Sequence, residues 1–319
     1  MKKIINLTSI IILFLTFDFV ASNLILKKQE FWKYDGFIDH YWRIKSNIYH
    51  HDLMPNINVI EPWGGTFKKR IITNSLGFRD STTKKIKKKS EKERILLIGD
   101  SAIEGAGYNF DQTLAGLLKK KLINKYEILN SAVGSYSPSI YYAKINHFIN
   151  EGYIFDKAII FLDPSDVIDE LFINHDENGN IIVPKRKKDK VGNFLINNFL
   201  TFRVFVIFTD YVENIKNFVK LKYKYSKKFN KKFLKTTLED AMFYRMIYVD
   251  RSAWTFDENF FPNYQEGLQK SEIYMNKLIK LIKNNNIQIN FVLYPHPSQI
   301  FYKDKYHRPY WINWAKKNN

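Results

Sequence analysis

A serine follows directly after a short apolar run in the stretch RILLIGDSAIEGAG, which spans residues 94–107. The apolar residues predict a buried strand that ends at Gly99, so that Ser101 lies where the chain leaves the strand for a helix. A serine hydroxyl becomes an effective nucleophile when a base, usually histidine, accepts its proton, and the resulting oxyanion needs fixed N–H donors. The position of Ser101 therefore predicts a nucleophile, with a turn residue as the alternative.

The elements that would position this serine follow a regular alternation. Apolar runs predict strands at 94–98, 126–133, 157–162 and 287–294, and amphipathic spacing predicts helices at 112–123, 138–150 and 264–284. Strands that alternate with helices are typical of βαβ units. The sequence therefore predicts an α/β fold with a central parallel sheet.

Small or polar residues follow each predicted strand, at 99–101, 131–134, 163–166 and 294–297. Ligands of open parallel sheets bind at the carboxyl ends of the strands. Gly134 has no side chain, so a substrate can approach its backbone N–H closely. We therefore expect Ser101 and Gly134 to share a site at this edge of the sheet.

The stretch LIGDSAIEG resembles the first sequence block of the SGNH (GDSL) hydrolases. That family folds as a flavodoxin-like three-layer α/β/α sandwich and cleaves or transfers esters through serine and histidine. The resemblance implies that Ser101 is the nucleophile and that Gly134, in NSAVGSYSP, belongs to the oxyanion hole. In the family's Gly-x-Asn-Asp block, Ser165 stands at the asparagine position, and its hydroxyl can donate one hydrogen bond to an oxyanion.

The family's catalytic base lies in an Asp-x-x-His motif, and residues 304–307 (DKYH) have that spacing. The resemblance implies that His307 is the base and that Asp304 orients it. Because this motif follows closely on the last predicted strand, a chain that lacks the family's C-terminal end is the alternative. His296, in YPHPSQ, is a further candidate for the base or for a substrate contact.

Arg79 lies in the octapeptide TNSLGFRD, which is similar to a stretch in membrane-anchored SGNH proteins of bacterial surface-glycan systems. An arginine here can pair with a carboxylate or phosphate of a substrate, or it can anchor the N-terminal segment to the domain. Asp166 is a second candidate for substrate binding.

The N-terminus carries an apolar run at 4–26 that only Asp18 interrupts with a charge. One interpretation is a signal peptide cleaved after residues 20–22, and the other is an uncleaved anchor long enough to span a bilayer. Asp18 lies near one end of the run, where a charge costs less than at mid-bilayer. We therefore predict a single-pass protein of a bacterial inner membrane with its catalytic domain in the periplasm, or a secreted or periplasmic protein if cleavage occurs.

Three regions follow from these patterns: a signal or anchor at 1–26, an extension with a Lys-rich connector at 27–92, and an α/β domain at 93–319. Within the last, the alternation breaks at about 171–262, where an inserted helical lid is predicted. Arg203 and Asp210 argue against a second membrane span there. The Lys-rich connector is interpreted as solvated sequence without a function of its own.

Composition limits the classes of function. The chain of 319 residues is 45% hydrophobic, which is enough for a sizeable core, and its net charge of +18 suits an acidic partner. No known nucleic-acid-binding module is visible, so a nucleic-acid partner is not expected. The absence of cysteine excludes disulfides, thiolate metal sites and a cysteine nucleophile. Residues 50–52 (HHD) lack further ligands at metal spacing, and no metal or cofactor is expected.

Two hypotheses of different class result. The first is an exported, membrane-tethered SGNH-type serine esterase or O-acyltransferase that acts on acyl esters, acetyl esters first among them, of a cell-envelope glycan or lipid. The second is a non-catalytic SGNH-like scaffold of an envelope assembly complex. They differ in whether a histidine comes within hydrogen-bond distance of the Ser101 hydroxyl.

Overall fold

The structure, a computed structural model, describes residues 2–28, 42–63, 67–122, 124–183, 190–206, 208–209, 212, 251–296, 299–300 and 303–318. The chain divides into two compact units. One comprises residues 1–41, 62–67 and 185–241, and the other comprises 42–61, 68–184 and 242–319.

In chain order the strands are β1 Arg43–Ser46, β2 His50–Leu53, β3 Asn58–Trp63, β4 Phe67–Ile72, β5 Glu93–Ile98, β6 Tyr126–Asn130, β7 Lys157–Leu162 and β8 Gln288–Leu293. The helices are α1 Lys2–Leu24, α2 Ser101–Glu104, α3 Leu114–Leu122, α4 Pro138–Asn150, α5 Pro164–Phe172, α6 Lys190–Asn198, α7 Tyr264–Asn284 and α8 His307–Lys317. Short 3₁₀ turns lie between some of these elements.

The first unit is built on α1, whose apolar side chains are largely exposed, Leu13 by 69% and Phe17 by 71%. The Asp18 carboxylate accepts the backbone N–H groups of Leu200 and Thr201 at 3.0 Å each, where helical residues 200–206 begin. Within the part of the chain that is described, one helix, Leu7–Lys28, is apolar and long enough to cross a membrane, and a signal sequence would have the same character. The prediction of an N-terminal helix apolar enough to span a membrane or to act as a signal sequence is confirmed.

The second unit contains the central sheet, in which four parallel strands lie in the order β6–β5–β7–β8. The antiparallel pair β1–β2 and the pair β3–β4 form two separate two-stranded sheets, which the sequence pattern did not predict. All four parallel strands were predicted. β6 ends at Asn130, three residues earlier than expected, because the Asn130 side chain accepts the N–H of Ala132 and turns the chain away from the ladder.

Alternate residues of the central strands enter two separate apolar clusters. Leu96 and Ile98 pack with residues of α4, α5, α7 and α8, whereas Ile95 and Leu97 pack with α3 and Ile103 of α2. Because successive side chains of a strand point to opposite faces, this division places helices on both sides of the sheet. The predicted α/β fold, with a parallel sheet between helical layers, is confirmed.

After α5 the described chain continues with a turn. The sequence 177–180 (ENGN) forms a turn, with Gly179 at φ +78° and an antiparallel bridge between His175 and Ile181. α6 and helical residues 200–206 belong to the first unit. Residues 213–250, a large part of the predicted lid, lie outside the described residues, and the lid stays a prediction.

Candidate active site

Ser101 lies at the carboxyl edge of the sheet, as the first residue of the one-turn helix α2. Asp100 caps this helix, since its carboxylate accepts the N–H of Ala102 at 3.0 Å and the Ser101 hydroxyl at 3.1 Å. α2 ends at Gly105, whose φ of +78° favours glycine and where a Cβ atom would lie 2.2 Å from Thr113 Cγ2. Strand, cap and glycine together fix the backbone on both sides of the serine.

Gly134 lies next to Ser101, because a Cβ atom built on Gly134 would be 3.4 Å from Ser101 Cβ. Its N–H, predicted as an oxyanion donor, instead donates to Glu104 Oε2 across 2.6 Å. Glu104 is fully buried and accepts two hydrogen bonds from Arg43, at 3.1 and 2.7 Å. The structure therefore brings Ser101 and Gly134 together, and the Glu104 carboxylate already accepts the Gly134 N–H.

The carbonyl of the same glycine is held by the β1–β2 hairpin. His51 Nε2 lies 2.8 Å from the Gly134 oxygen, and His51 Nδ1 lies 2.8 Å from His50 Nδ1. Burial lowers the pKa of His51 to about 4, so the ring is neutral at pH 7. The neutral ring donates its Nε2–H to Gly134 and accepts from His50, which ties residues 50–51 to the edge of the site.

The third predicted block forms the N-terminus of α5. Asp163 caps this helix, and its Oδ1 atom accepts both the N–H of Ser165 at 2.6 Å and the Ser165 hydroxyl at 2.7 Å. The Asp166 carboxylate in turn accepts the N–H of Asp163 at 3.0 Å. The two acids form a reciprocal capping box. The Ser165 hydroxyl, predicted as an oxyanion donor, therefore donates to Asp163.

Tyr294, directly after β8, joins the ends of three strands. Its hydroxyl lies 2.7 Å from Asp100 Oδ1 and 2.6 Å from Asp163 Oδ2. A tyrosine hydroxyl has one hydrogen, so it can donate to one carboxylate, and the other must carry a proton and donate to it. Ser101, Asp100, Tyr294 and Asp163 thus form a continuous hydrogen-bonded chain along the edge of the sheet.

The two acids of this chain differ in pKa. Burial and the negative charge of Asp163 raise the pKa of Asp100 to about 6. Burial opposes ionisation of Asp163 too, but hydrogen bonds from His296 and Tyr294 and the charge of His296 outweigh it and lower its pKa below the usual range. Asp100 is therefore the acid that keeps its proton to the higher pH, and Asp163 is the ionised partner of His296.

His296 lies at this same edge, with Nε2 at 3.2 Å from Asp163 Oδ2 and its side chain 20% exposed. This pair has the arrangement of a base and its orienting acid, since an ionised carboxylate beside an imidazole stabilises the imidazolium. Among the residues that are described, however, no histidine lies within hydrogen-bond distance of Ser101 Oγ, whose recorded partner is Asp100.

The predicted base, His307, lies near Asp163 and His296, whose charges both affect its pKa. His307 Nδ1 is 3.9 Å from Asp304 Oδ2, and the Asp304 carboxylate accepts the N–H groups of residues 306–308 at the start of α8. The His307 ring is buried edge-on against Trp254, and burial lowers its pKa to about 4. Asp304 thus caps helix α8 and the His307 ring is buried beside it, and neither side chain contacts Ser101.

Arg79 is buried and faces the loop that follows Ser101. Its guanidinium donates to the backbone carbonyls of Glu104, at 2.9 Å, and of Gly105 and Tyr108. Its backbone bridges to Asn130 at the end of β6. Of the two roles open to Arg79, these contacts favour the anchoring of the N-terminal segment and of the loop.

Three buried carboxylates of the site, those of Asp100, Asp163 and Asp166, each offer an oxygen within 4.8 Å of the others. Such spacing suits a metal ion, but both oxygens of Asp163 already accept hydrogen bonds from groups of the protein. Burial and the negative charge of Asp163 raise the pKa of both Asp100 and Asp166, which favours protonated carboxyls in this cluster. The expectation of no metal and no cofactor stays a prediction.

The sequence did not predict several contacts of this site. These are the hydrogen bond from Gly134 to Glu104, the ion pair of Glu104 with Arg43, the Tyr294 hydroxyl between Asp100 and Asp163, and the pairing of Asp163 with His296. Two of them carried a weak signal. Glu104 is one helical turn after Ser101, and Tyr294 stands at a predicted strand end. The Arg43–Glu104 pair spans 61 residues of sequence, and no local pattern marks it.

Fold and site together define an α/β protein with a serine, a glycine and an acid–histidine pair at the carboxyl edge of a parallel sheet. No protein-family model matches the chain. No curated protein matches it either. Among solved structures, the crystal structure of TesA is similar to a part of it, with 22% identity and a TM-score of 0.22 over 24% of this chain. That similarity spans 43% of the TesA chain, less than half of its length.

Proposed function

We propose that the protein is a serine esterase or O-acyltransferase in which Ser101 is the nucleophile and His296, oriented by Asp163, is the base. The observation that carries this proposal is the Asp163–His296 pair, 3.2 Å apart, at the same sheet edge as Ser101 and linked to it through Tyr294 and Asp100. His296 is favoured over His307 because its ring is partly exposed, whereas the His307 ring is buried. The SGNH-like block around Ser101 supports the same chemistry.

The reaction would run in two steps. Ser101 Oγ attacks the acyl carbonyl while its proton passes to His296, and Asp163 stabilises the imidazolium. His296 then gives that proton to the leaving alcohol, and the acyl group stays on Ser101. Water or a sugar hydroxyl, deprotonated by His296, attacks the acyl-enzyme. The bond between the acyl carbon and Ser101 Oγ breaks, His296 returns the proton to Ser101 Oγ, and the acid or the new ester is released. The Ser101 and Gly134 N–H groups would hold the oxyanion, which requires Glu104 to leave Gly134.

The proposed substrate is an acyl ester of a cell-envelope glycan or lipid, reached from a membrane tether formed by α1. The tether is supported by the length and apolar character of Leu7–Lys28. The reaction also requires the His296 ring to reach Ser101 Oγ, and catalytic hydrogen bonds often tighten when substrate binds.

Two observations favour a second function, a non-catalytic scaffold. Among the described residues, no histidine lies within hydrogen-bond distance of Ser101 Oγ. The second observation concerns the expected oxyanion donors. Glu104 and Asp163 already accept the two groups, the Gly134 N–H and the Ser165 hydroxyl, that were predicted to stabilise an oxyanion. Glu104 is in addition held by an ion pair with Arg43, so the carboxylate on the Gly134 N–H is fixed in place. In a non-catalytic binding protein, Glu104 and Asp163 would keep these two donors occupied permanently.

Labelling with a fluorophosphonate separates these functions. The full chain, purified in a non-ionic detergent, is treated with the probe, and the adduct is mapped by mass spectrometry. Ser101→Ala, His296→Gln and His307→Gln are compared with Ser81→Ala and His147→Gln as matched controls, and thermal melting confirms that each variant is folded. Ser81 is exposed and His147 lies on α4.

We expect an adduct on Ser101 that His296→Gln abolishes and the other histidine variants retain. An adduct lost only in folded His307→Gln would assign the base to the Asp304–His307 pair instead. No adduct in the folded wild-type chain would reject the enzyme and favour the scaffold.

A further inference from the structure

A basic groove lies beside the amino ends of β5 and β6, at the end of the strands opposite to Ser101. It has a volume of about 770 Å³ and is lined by residues of the segment 84–92, by Arg94 and Lys119, and by the start of β6 at 126–128. Seven of the lining side chains are basic and two, Glu91 and Glu127, are acidic. The Lys-rich connector is thus one wall of a concave, strongly positive surface.

The connector is fixed in place. Ile86 is buried in the core, and its N–H donates to Ser75 Oγ at 2.9 Å. The Arg94 guanidinium donates to the carbonyls of Lys87 and Lys88, at 2.6 and 2.8 Å. A segment held by its backbone in this way presents its side chains in a constant arrangement, so little order is lost when a ligand binds.

The lysines of the connector differ in their partners. Lys84 pairs with Glu127, and Lys88 lies beside Gly152. Lys85, Lys87 and Lys89 line the groove and are exposed, and within the described residues no carboxylate lies within 4 Å of their ammonium groups. The ammonium groups of these three lysines therefore have no carboxylate partner among the described residues, which is the pattern of a surface for an anionic ligand.

The shape of the groove and its lining residues favour one class of anionic ligand over others. A concave groove suits a linear polymer better than the flat surface of a bilayer. Tyr126 is the one aromatic residue in the lining, and its hydroxyl accepts a hydrogen bond from Lys157, so the groove offers no row of aromatic rings on which nucleic-acid bases could stack. We propose that this basic groove binds a linear acidic polysaccharide. This inference is independent of the proposed enzyme activity, since the groove and Ser101 lie at opposite ends of the sheet.

The test uses the full chain immobilised in non-ionic detergent, with polygalacturonate as the acidic glycan and dextran as the neutral one. We expect polygalacturonate to bind and dextran not to bind, and the binding to disappear between about 0.05 M and about 0.5 M NaCl because salt screens exposed charges. The variant K85Q/K87Q/K89Q should weaken binding about tenfold or more. The control K280Q/K316Q/K317Q removes the same charge from exposed lysines of α7 and α8 and should change affinity by less than about twofold.

Three results would overturn the proposal. The first is that the folded wild-type chain does not bind polygalacturonate, and the second is that the two triple variants lose equal affinity for it. The third is that K85Q/K87Q/K89Q weakens binding to duplex DNA or to phosphatidylglycerol vesicles but leaves binding to polygalacturonate unchanged. The second would mean that net charge alone attracts the glycan. The third would assign the groove to a different class of partner. Thermal melting of both variants establishes that they are folded.

Discussion

Glu104 and Gly134 are joined by a short hydrogen bond, with 2.6 Å between the Glu104 carboxylate and the Gly134 nitrogen. In the proposed enzyme, this contact places a negative charge at the position where the Gly134 N–H would stabilise the oxyanion. Arg43 balances that charge through two hydrogen bonds. Under the proposed function, this hydrogen bond must break before the Gly134 N–H can bind the oxyanion of a substrate.

We predict that Glu104→Gln destabilises the protein and exposes the Gly134 donor. The amide removes the charge that balances Arg43, whose side chain is 26% exposed, so the free energy of unfolding should fall by about 1–3 kcal/mol. The weaker acceptor should also raise the rate at which a fluorophosphonate labels Ser101. Urea denaturation and the labelling rate measure the two effects. Glu93→Gln, at an exposed ion pair, is the control and should cost less than about 0.5 kcal/mol. A labelling rate that stays the same or falls would contradict the blocking role.

Arg79→Lys should lower the free energy of unfolding by about 2–3 kcal/mol, because a single ammonium cannot reach the three carbonyls that the guanidinium joins. The loop at 105–108 would loosen, and hydrogen exchange of its amides should become faster. Arg70→Lys, at an exposed arginine, should leave both measurements unchanged. If the two variants unfold alike, Arg79 has no anchoring role.

Glu127 should contribute a pH-dependent part of the stability. Its partial burial alone would raise its pKa, but hydrogen bonds and charges from Lys84 and Arg94 lower the pKa to about 2, from an ordinary value of 4.5. An acid whose pKa is lower in the folded than in the unfolded state stabilises the fold at any pH above its unfolded-state pKa. This stabilisation is lost as the pH falls through the folded-state pKa. The difference in unfolding free energy between wild type and Glu127→Gln should therefore be complete at pH 6 and shrink between pH 4.5 and about 2. Glu177→Gln, in an exposed turn, should unfold like wild type throughout. A Glu127→Gln difference that does not change with pH would refute this assignment.

The full chain should resist extraction from membranes by alkaline carbonate, because Leu7–Lys28 is long and apolar enough to span a bilayer. Deletion of residues 2–24 should release the remainder into the soluble fraction. Fractionation with immunodetection measures both, and N-terminal sequencing of the mature chain distinguishes an anchor from a cleaved signal peptide. A mature chain that begins at Asn23 would show cleavage and rule out the anchor.

The sequence by itself determined the central sheet and the place of its serine. The four strands and α7 follow from local periodicity, because the spacing of apolar residues in each segment matches one secondary structure. Ser101 and Gly134 could be placed together for a general reason: parallel strands end at the same edge of a sheet. The hairpins of β1–β4 and the helices α5 and α8 lacked such a clear local pattern and were not predicted.

Only the tertiary structure decided which side chains pair at that edge. Glu104 and Arg43 are 61 residues apart, and Tyr294 and Asp163 are 131 residues apart. His307 has the family's spacing to Asp304, yet packing against Trp254 buries its ring, while His296 lies beside Asp163. The same holds for the Lys-rich connector, which Arg94 and Ile86 fix along the sheet. Strands form from local periodicity, whereas the partner of a polar side chain depends on which distant segments the folded core brings within about 3 Å of it.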